Sequence, residues 1–227
     1  MVAETIAETE LRARGSALPA ITRTRLDDHA QLLNTNLPNL MTLGLFQVGF
    51  GLALTSLLGL RNSGMLRQIR SAGCSARTVV CAVVTSNLVV AGAQVVLLAV
   101  VGTRLAGASG DPLALAGIAL LTFVTMSAIG VTVASLGKTL QTVTIAAGVS
   151  GSLLALLALI PIPNIKNATA QNLMSLTPTG AASEAFRAAL HGPDHRPLAA
   201  VVAVLLGWCL IFVLFAAKTF RWDRITA

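Results

Sequence analysis

The tripeptide Gly137-Lys138-Thr139 carries the residue types that close a phosphate-binding loop. In such a loop, backbone N–H groups and a lysine cradle the phosphates. The full motif needs a glycine where this chain has Thr132, and it needs a strand feeding the loop, whereas an apolar run precedes this one. The tripeptide therefore reads as a tight turn with one cationic side chain, and the chain is not expected to bind nucleotide by itself. His191 and His195 flank Gly-Pro-Asp, with Asp194 beside them. Those side chains have metal-ligand chemistry, but the intervening Gly-Pro breaks the helix that would align them, so a solvated loop is expected and no metal. Cys74, Cys81 and Cys209 are scattered, with no C-x-x-C pair, and read as small apolar fillers rather than a disulfide framework. Asn167-Ala168-Thr169 is a glycosylation sequon, a pattern that arises often by chance. No catalytic set emerges; neither an enzyme nor a cofactor site is expected.

One polar stretch is different. Arg61 to Arg77 reads R-N-S-G-M-L-R-Q-I-R-S-A-G-C-S-A-R, and no Asp or Glu occurs between Asp28 and Asp111. On a helix, Met65, Leu66, Ile69, Ala72 and Gly73 share one face, while Arg67, Arg70, Cys74 and Arg77 share a neighbouring one. A short amphipathic helix, basic on one side, is expected between two apolar runs. Spacing alone allows two roles. It is either a solvated loop whose charge sets topology, or a docking element for a soluble partner.

The elements that hold this stretch are membrane spans. Of 227 residues, 55% are hydrophobic and only 11% charged, against about 25% charged in an ordinary soluble domain. Several uncharged runs reach the ~20 residues needed to cross a bilayer. Spans are expected at about 40–60, 78–101, 113–136, 142–160 and 198–217. The fold class is all-α, a polytopic membrane helical bundle, with a polar N-terminal segment over 1–38 and a transmembrane domain over 39–227. Gly44, Gly51 and Ser56 are the small residues expected to let the first span approach its neighbours. Leu26, Ala30, Leu33 and Leu37 follow a helical stripe that suits a surface-lying amphipathic helix. No secretory signal peptide is visible at the acidic start of the chain.

Five spans put the chain ends on opposite sides, and charge selects the orientation. With the basic stretch inside, the inner segments hold Arg61, Arg67, Arg70, Arg77, Lys138, Lys218, Arg221 and Arg224 against Asp223 alone. The outer segments balance, so the net charge of +7 lies on one side, a positive-inside pattern that assigns the C-terminus to the cytoplasm and the N-terminus outside. Topology accounts for the charge, and no nucleic-acid partner is expected. Trp222 suits the interfacial zone. Within the spans the larger polar residues are Gln47, Asn87 and Gln94, candidates for lining a pathway or for interhelical hydrogen bonds. No ionisable acid or base lies mid-span, unlike a proton- or ion-coupled pump; a transporter of this kind needs an outside energy source.

Three blocks resemble the permease subunits of type-2 ATP-binding-cassette exporters, including drug- and antibiotic-resistance permeases. L-G-L-R-N-S-G-M-L-R-Q-I-R-S-A-G-C-S is similar to that family's span followed by E-x-G-T-L-x-x-L-R-x-[ST]-P-x-S, with Gly64, Leu66, Ile69, Arg70 and Ser75 fitting. L-T-P-T-G-A-A-S-E-A-F-R, Leu176 to Arg187, resembles the outer L-[ST]-P-x-x-x-x-x-E-x-[LF]-R, and K-T-F-R-W-D, Lys218 to Asp223, the F-R-W-[ED] ending. Gly73 departs from the family's proline, and no acid precedes Gly64 where the family has one.

The resemblance implies a coupling helix carried by Gly64, Met65, Leu66, Arg67, Ile69 and Arg70, resting on a separate ATPase subunit. It implies an outer segment of short re-entrant helices before the last span, with Pro161, Pro163, Pro178 and Glu184 at an exit gate, and a second permease subunit. The expected activity is export of an amphipathic drug- or lipid-like cargo across the plasma membrane. The family's first span has no counterpart here. That favours the competing expectation, a non-transporting accessory or immunity protein that binds its partner through the same basic helix.

Overall fold

The computed structural model describes residues 20–105, 111–137, 139–162, 165–191 and 197–219. Two compact units are distinguished, Met1–Asn36 and Leu37–Ala227. The described part of the first is helical throughout.

Among the described residues the elements are α-helices: α1 (Ala20–Asn62), α2 (Met65–Ser71), α3 (Ala76–Leu105), α4 (Pro112–Leu136), α5 (Leu140–Leu159), α6 (Ala168–Ser175), α7 (Pro178–His191) and α8 (Leu198–Thr219). Among the described residues five stretches are long and apolar enough to cross a bilayer: Asn36–Asn62, Arg77–Leu97, Pro112–Leu136, Leu140–Leu159 and Leu198–Thr219. α6 and α7, of 8 and 14 residues, rise only ~1.5 Å per residue and fall short of a ~30 Å hydrocarbon core.

Local chemistry sets the boundaries. Asp111 caps α4, its carboxylate accepting from the Leu113 N–H at 2.9 Å, with Pro112 at the first helical position, where no N–H is needed. Thr139 caps α5 by accepting from the Thr142 N–H at 3.2 Å, so the Gly-Lys-Thr turn is a helix start; Lys138 lies outside the described residues. Asn167 caps α6 through the Thr169 and Ala170 N–H groups, which gives the sequon a structural use. Thr177 accepts from the Gly180 N–H at 3.1 Å, and Pro178 follows it into α7.

α4 is the axis of the bundle. Its most apolar stretch is 67% buried, against 11–33% for the other four spans, which therefore present faces to lipid or to other chains. Its most extensive neighbour is α8, and α3, α7 and α5 also pack on it. One cluster joins Met41 and Leu45 of α1, Ala91 of α3, Phe123 of α4, Phe186 of α7 and Leu205 of α8. A second joins Ala53 and Leu57 of α1, Leu66 of α2, Val79 of α3, Val131 and Ala134 of α4 and Ala216 of α8. A third brings α5 in through Leu154, against Phe46, Phe50 and Met126.

Gly49 and Gly130 are where α1 and α4 cross closely. A Cβ on Gly130 would stand 2.5 Å from the Phe50 carbonyl oxygen, and one on Gly49 2.9 Å from that of Phe123. Gly51 faces open space instead. This corrects the expectation from sequence, because both glycines sit on one span and only the contact face distinguishes them. Lipid is as apolar as leucine, so such close backbone approach supplies association that burial cannot.

Candidate functional site

The basic stretch folds as the amphipathic helix its spacing predicts, α2, held by a glycine turn at each end. Gly64 has φ 72° and separates α1 from α2, its N–H donating to the Arg61 carbonyl at 3.2 Å. At the other end Gly73 has φ 80°. Its N–H donates to the Arg70 carbonyl at 3.0 Å, and the Cys74 N–H to the Ile69 carbonyl at 3.3 Å. That pair of bonds is a Schellman stop, which needs both a left-handed residue and its N–H. Proline supplies neither, so the departure at Gly73 from the resembling family's proline has a concrete local consequence.

The stripe on α2 divides. Leu66 is buried at 1% exposure within its own subunit, among Leu57, Val79 and Val131. It anchors the helix to its own bundle and offers almost no surface to a partner, whereas the resemblance counts it with Gly64, Met65, Arg67, Ile69 and Arg70 in the ATPase contact. Ile69 is half-buried on the same cluster. Met65, Arg67 and Arg70 are exposed, Met65 at 49%.

Arg61 behaves unlike the other arginines. It is 2% exposed, and its guanidinium donates from Nη1 to the Ala134 carbonyl at 2.5 Å and from Nη2 to the Gly137 carbonyl at 3.1 Å. Both acceptors lie at the C-terminal end of α4, where carbonyls lack helical partners and the helix dipole is negative. A residue in the last turn of the first span thus caps the central helix, four positions before α2 begins. A planar fork suits two separated carbonyls in a way a lysine does not. Nothing in the sequence separates Arg61 from Arg67 or Arg70; only the fold of α4 beneath it does.

At the other end of the bundle, α6 and α7 make a tight hairpin. A Cβ on Gly180 would meet the Met174 carbonyl oxygen at 2.0 Å. Trp208 of α8 donates from Nε1 to the Leu176 carbonyl at 2.7 Å, tying the hairpin to the last span; the sequence offered no signal for that bond. Pro161 is half-buried, Pro178 buried and Glu184 half-buried. Pro163, His195, Asp194 and Trp222 lie outside the described residues.

The polar residues of the spans separate. Gln47 is exposed on the subunit surface. Asn87 is buried at 9% exposure, and its Nδ2 has no hydrogen-bond partner among the described residues; neither has Oε1 of Gln94. Both amide atoms of Asn39, 2% exposed, are in the same position. An interhelical hydrogen bond among the described residues therefore does not account for the Asn87 amide nitrogen.

The family model described as ABC-2 family transporter protein matches residues 21–218. A comparison with curated proteins gave no match. The match spans every described helix almost from end to end, from α1 through α8. With a multi-pass bundle and a basic helix joining its first two spans, the chain belongs to the ABC-2 family of transporter proteins.

Proposed function

We propose that this chain is the permease subunit of an ATP-driven exporter, paired with a second permease, and that α2 is its contact with a separate ATPase subunit on the cytoplasmic side. The observation that carries this reading is the division of α2. Leu66 fixes the helix to the bundle while Met65, Arg67 and Arg70 stay exposed beside it. A rigid base with an apolar and cationic outer surface suits a docking element whose displacement must reach the spans. Arg61 supports a route for that displacement, since it joins the last turn of α1, which leads into α2, to the end of the central helix.

Charge places α2 and the C-terminus in the cytoplasm. With five spans, the end of the described residues before α1 lies on the opposite side from the C-terminus. The cargo is amphipathic, a drug-like or lipid-like molecule of the kind a resistance permease handles. Asn87 and Gln94 are the pathway-lining candidates, because buried amide atoms without a partner among the described residues suit a partner from cargo, water or the second permease. Pro161, Pro178 and Glu184 belong to the segment that caps the exit. ATP-dependent uptake of a fluorescent amphiphile into inside-out vesicles holding this chain and its ATPase tests the reading. Uptake lost in Arg67→Glu/Arg70→Glu supports it. Uptake absent with wild type, while the ATPase stays bound, points to the accessory role instead.

A further inference from the structure

A cavity of about 530 Å³ opens between α1, α2 and α3, lined by Ser56, Leu60, Ile69, Cys74, Thr78 and Ser86 among others. That volume lies within the ~300–1,000 Å³ of small-molecule clefts, so it is large enough for an organic ligand. Its shape follows from the helix that forms its long wall. Thr78 and Ser86 are eight residues apart on α3, roughly 12 Å at 1.5 Å per residue. The slot therefore runs along a membrane span, with the turn after α2 at one end.

The walls ask for hydrocarbon. Thr78 Oγ1 is paired with Ser75 Oγ at 2.9 Å, and Ser86 Oγ donates to the Val83 carbonyl at 2.9 Å. These hydroxyls are satisfied locally and make no demand on a guest. Apart from Ser56 and the Cys74 thiol, the remaining lining, Leu60, Ile69, Val79, Ala82 and Val83, is aliphatic. The mouth asks for an anion. Arg70 directly follows Ile69, Arg77 directly precedes Thr78, and both are exposed. No acidic residue lies between Asp28 and Asp111 to oppose them.

We infer that this slot is a binding site for an acidic phospholipid of the leaflet on the α2 side, one acyl chain lying along α3 and its phosphate between Arg70 and Arg77. A chain seated there wedges Ile69 of α2 away from α3 and sets the resting position of the basic helix. The site stands on the cavity and its rim alone and needs no ATPase.

Cys74 lines the slot and is exposed, so it reports occupancy. The full chain, carrying Cys81→Ala and Cys209→Ala, is placed in nanodiscs of phosphatidylcholine with or without phosphatidylglycerol, and its reaction with an uncharged maleimide is timed. Labelling is expected to slow about fivefold or more with phosphatidylglycerol, since one basic side chain near an anionic surface contributes about that factor (~1 kcal/mol). Ala82→Trp, which fills the slot from an exposed position, removes the lipid difference while leaving the surface potential in place. Arg70→Gln/Arg77→Gln removes it with the slot intact. Equal rates in both lipids overturn the proposal, as does a lipid difference that survives both variants. Protection by inorganic phosphate in pure phosphatidylcholine assigns the rim to a free anion and overturns it too. Protection only when an ATPase is added makes the slot a protein interface, with the same consequence.

Discussion

At the scale of single residues, two buried polar side chains carry opposite consequences. Arg61 is fully engaged with the end of α4, and its removal leaves the Ala134 and Gly137 carbonyls without its two donors. An unmade bond to a buried carbonyl costs about 1–3 kcal/mol, and loss of a cation at a helix C-terminus up to ~2 kcal/mol more. Arg61→Met is therefore expected to unfold several degrees earlier in detergent than wild type, with Arg61→Lys in between. A melting temperature unchanged in Arg61→Met would show that the guanidinium is not held as described. Asn87 has the reverse signature. Its Nδ2 lacks a partner among the described residues, so Asn87→Leu removes a desolvation cost and is expected to leave the melting temperature equal or higher. If the amide serves cargo or the second permease, transport falls in the same variant. A drop in stability instead would mean that the amide is already satisfied inside its own fold.

At the scale of elements, the crossing of α1 and α4 and the stop of α2 are the sensitive joints. Gly130→Ala drives a methyl to 2.5 Å from the Phe50 carbonyl, a contact with backbone that no side-chain rotation relieves. Overpacking of this kind costs about 1–3 kcal/mol. Gly51→Ala meets nothing within 4 Å and gains helix propensity, about 1 kcal/mol at most. A thermal-shift comparison of the two variants is expected to give opposite signs; equal shifts would refute the close crossing. Gly73→Ala forces a Cβ into φ 80°, a cost of about 1–2 kcal/mol, and is expected to fray α2 as read by hydrogen exchange at Gly73 and Cys74.

The elements themselves were largely legible in the sequence. Uncharged length marks a span whatever it packs against, so all five apolar runs are helical where expected. Asp111-Pro112 likewise marks a helix start through local bonding alone. Contacts between distant elements were not legible. Arg61 looks like Arg67 until α4 ends beneath it, and Gly49 looks like Gly51 until one of them meets Phe123. The inward turn of Leu66 was hidden for the same reason: an amphipathic stripe announces that a face will be buried, but not whether a partner or the same chain buries it.

At the scale of the whole molecule, the bundle is a central helix with four sparsely buried spans around it, the last only 11% buried. A subunit that leaves so much span surface open suits assembly in the membrane, and the amide atoms of Asn39 and the Asn87 Nδ2, which lack partners among the described residues, point the same way. The basic helix α2 is tied to that centre through Leu66 in the core, and the end of α1 that leads into it is tied through Arg61 on the end of α4. The central claim, that α2 is where an external ATPase acts, is tested most directly by the amount of ATPase retained when the purified complex is washed. Wild type and Leu66→Met are expected to hold it. Met65→Asp and Arg67→Glu/Arg70→Glu are expected to lose it with the melting temperature unchanged. Full retention by folded Arg67→Glu/Arg70→Glu and Met65→Asp subunits would contradict the account.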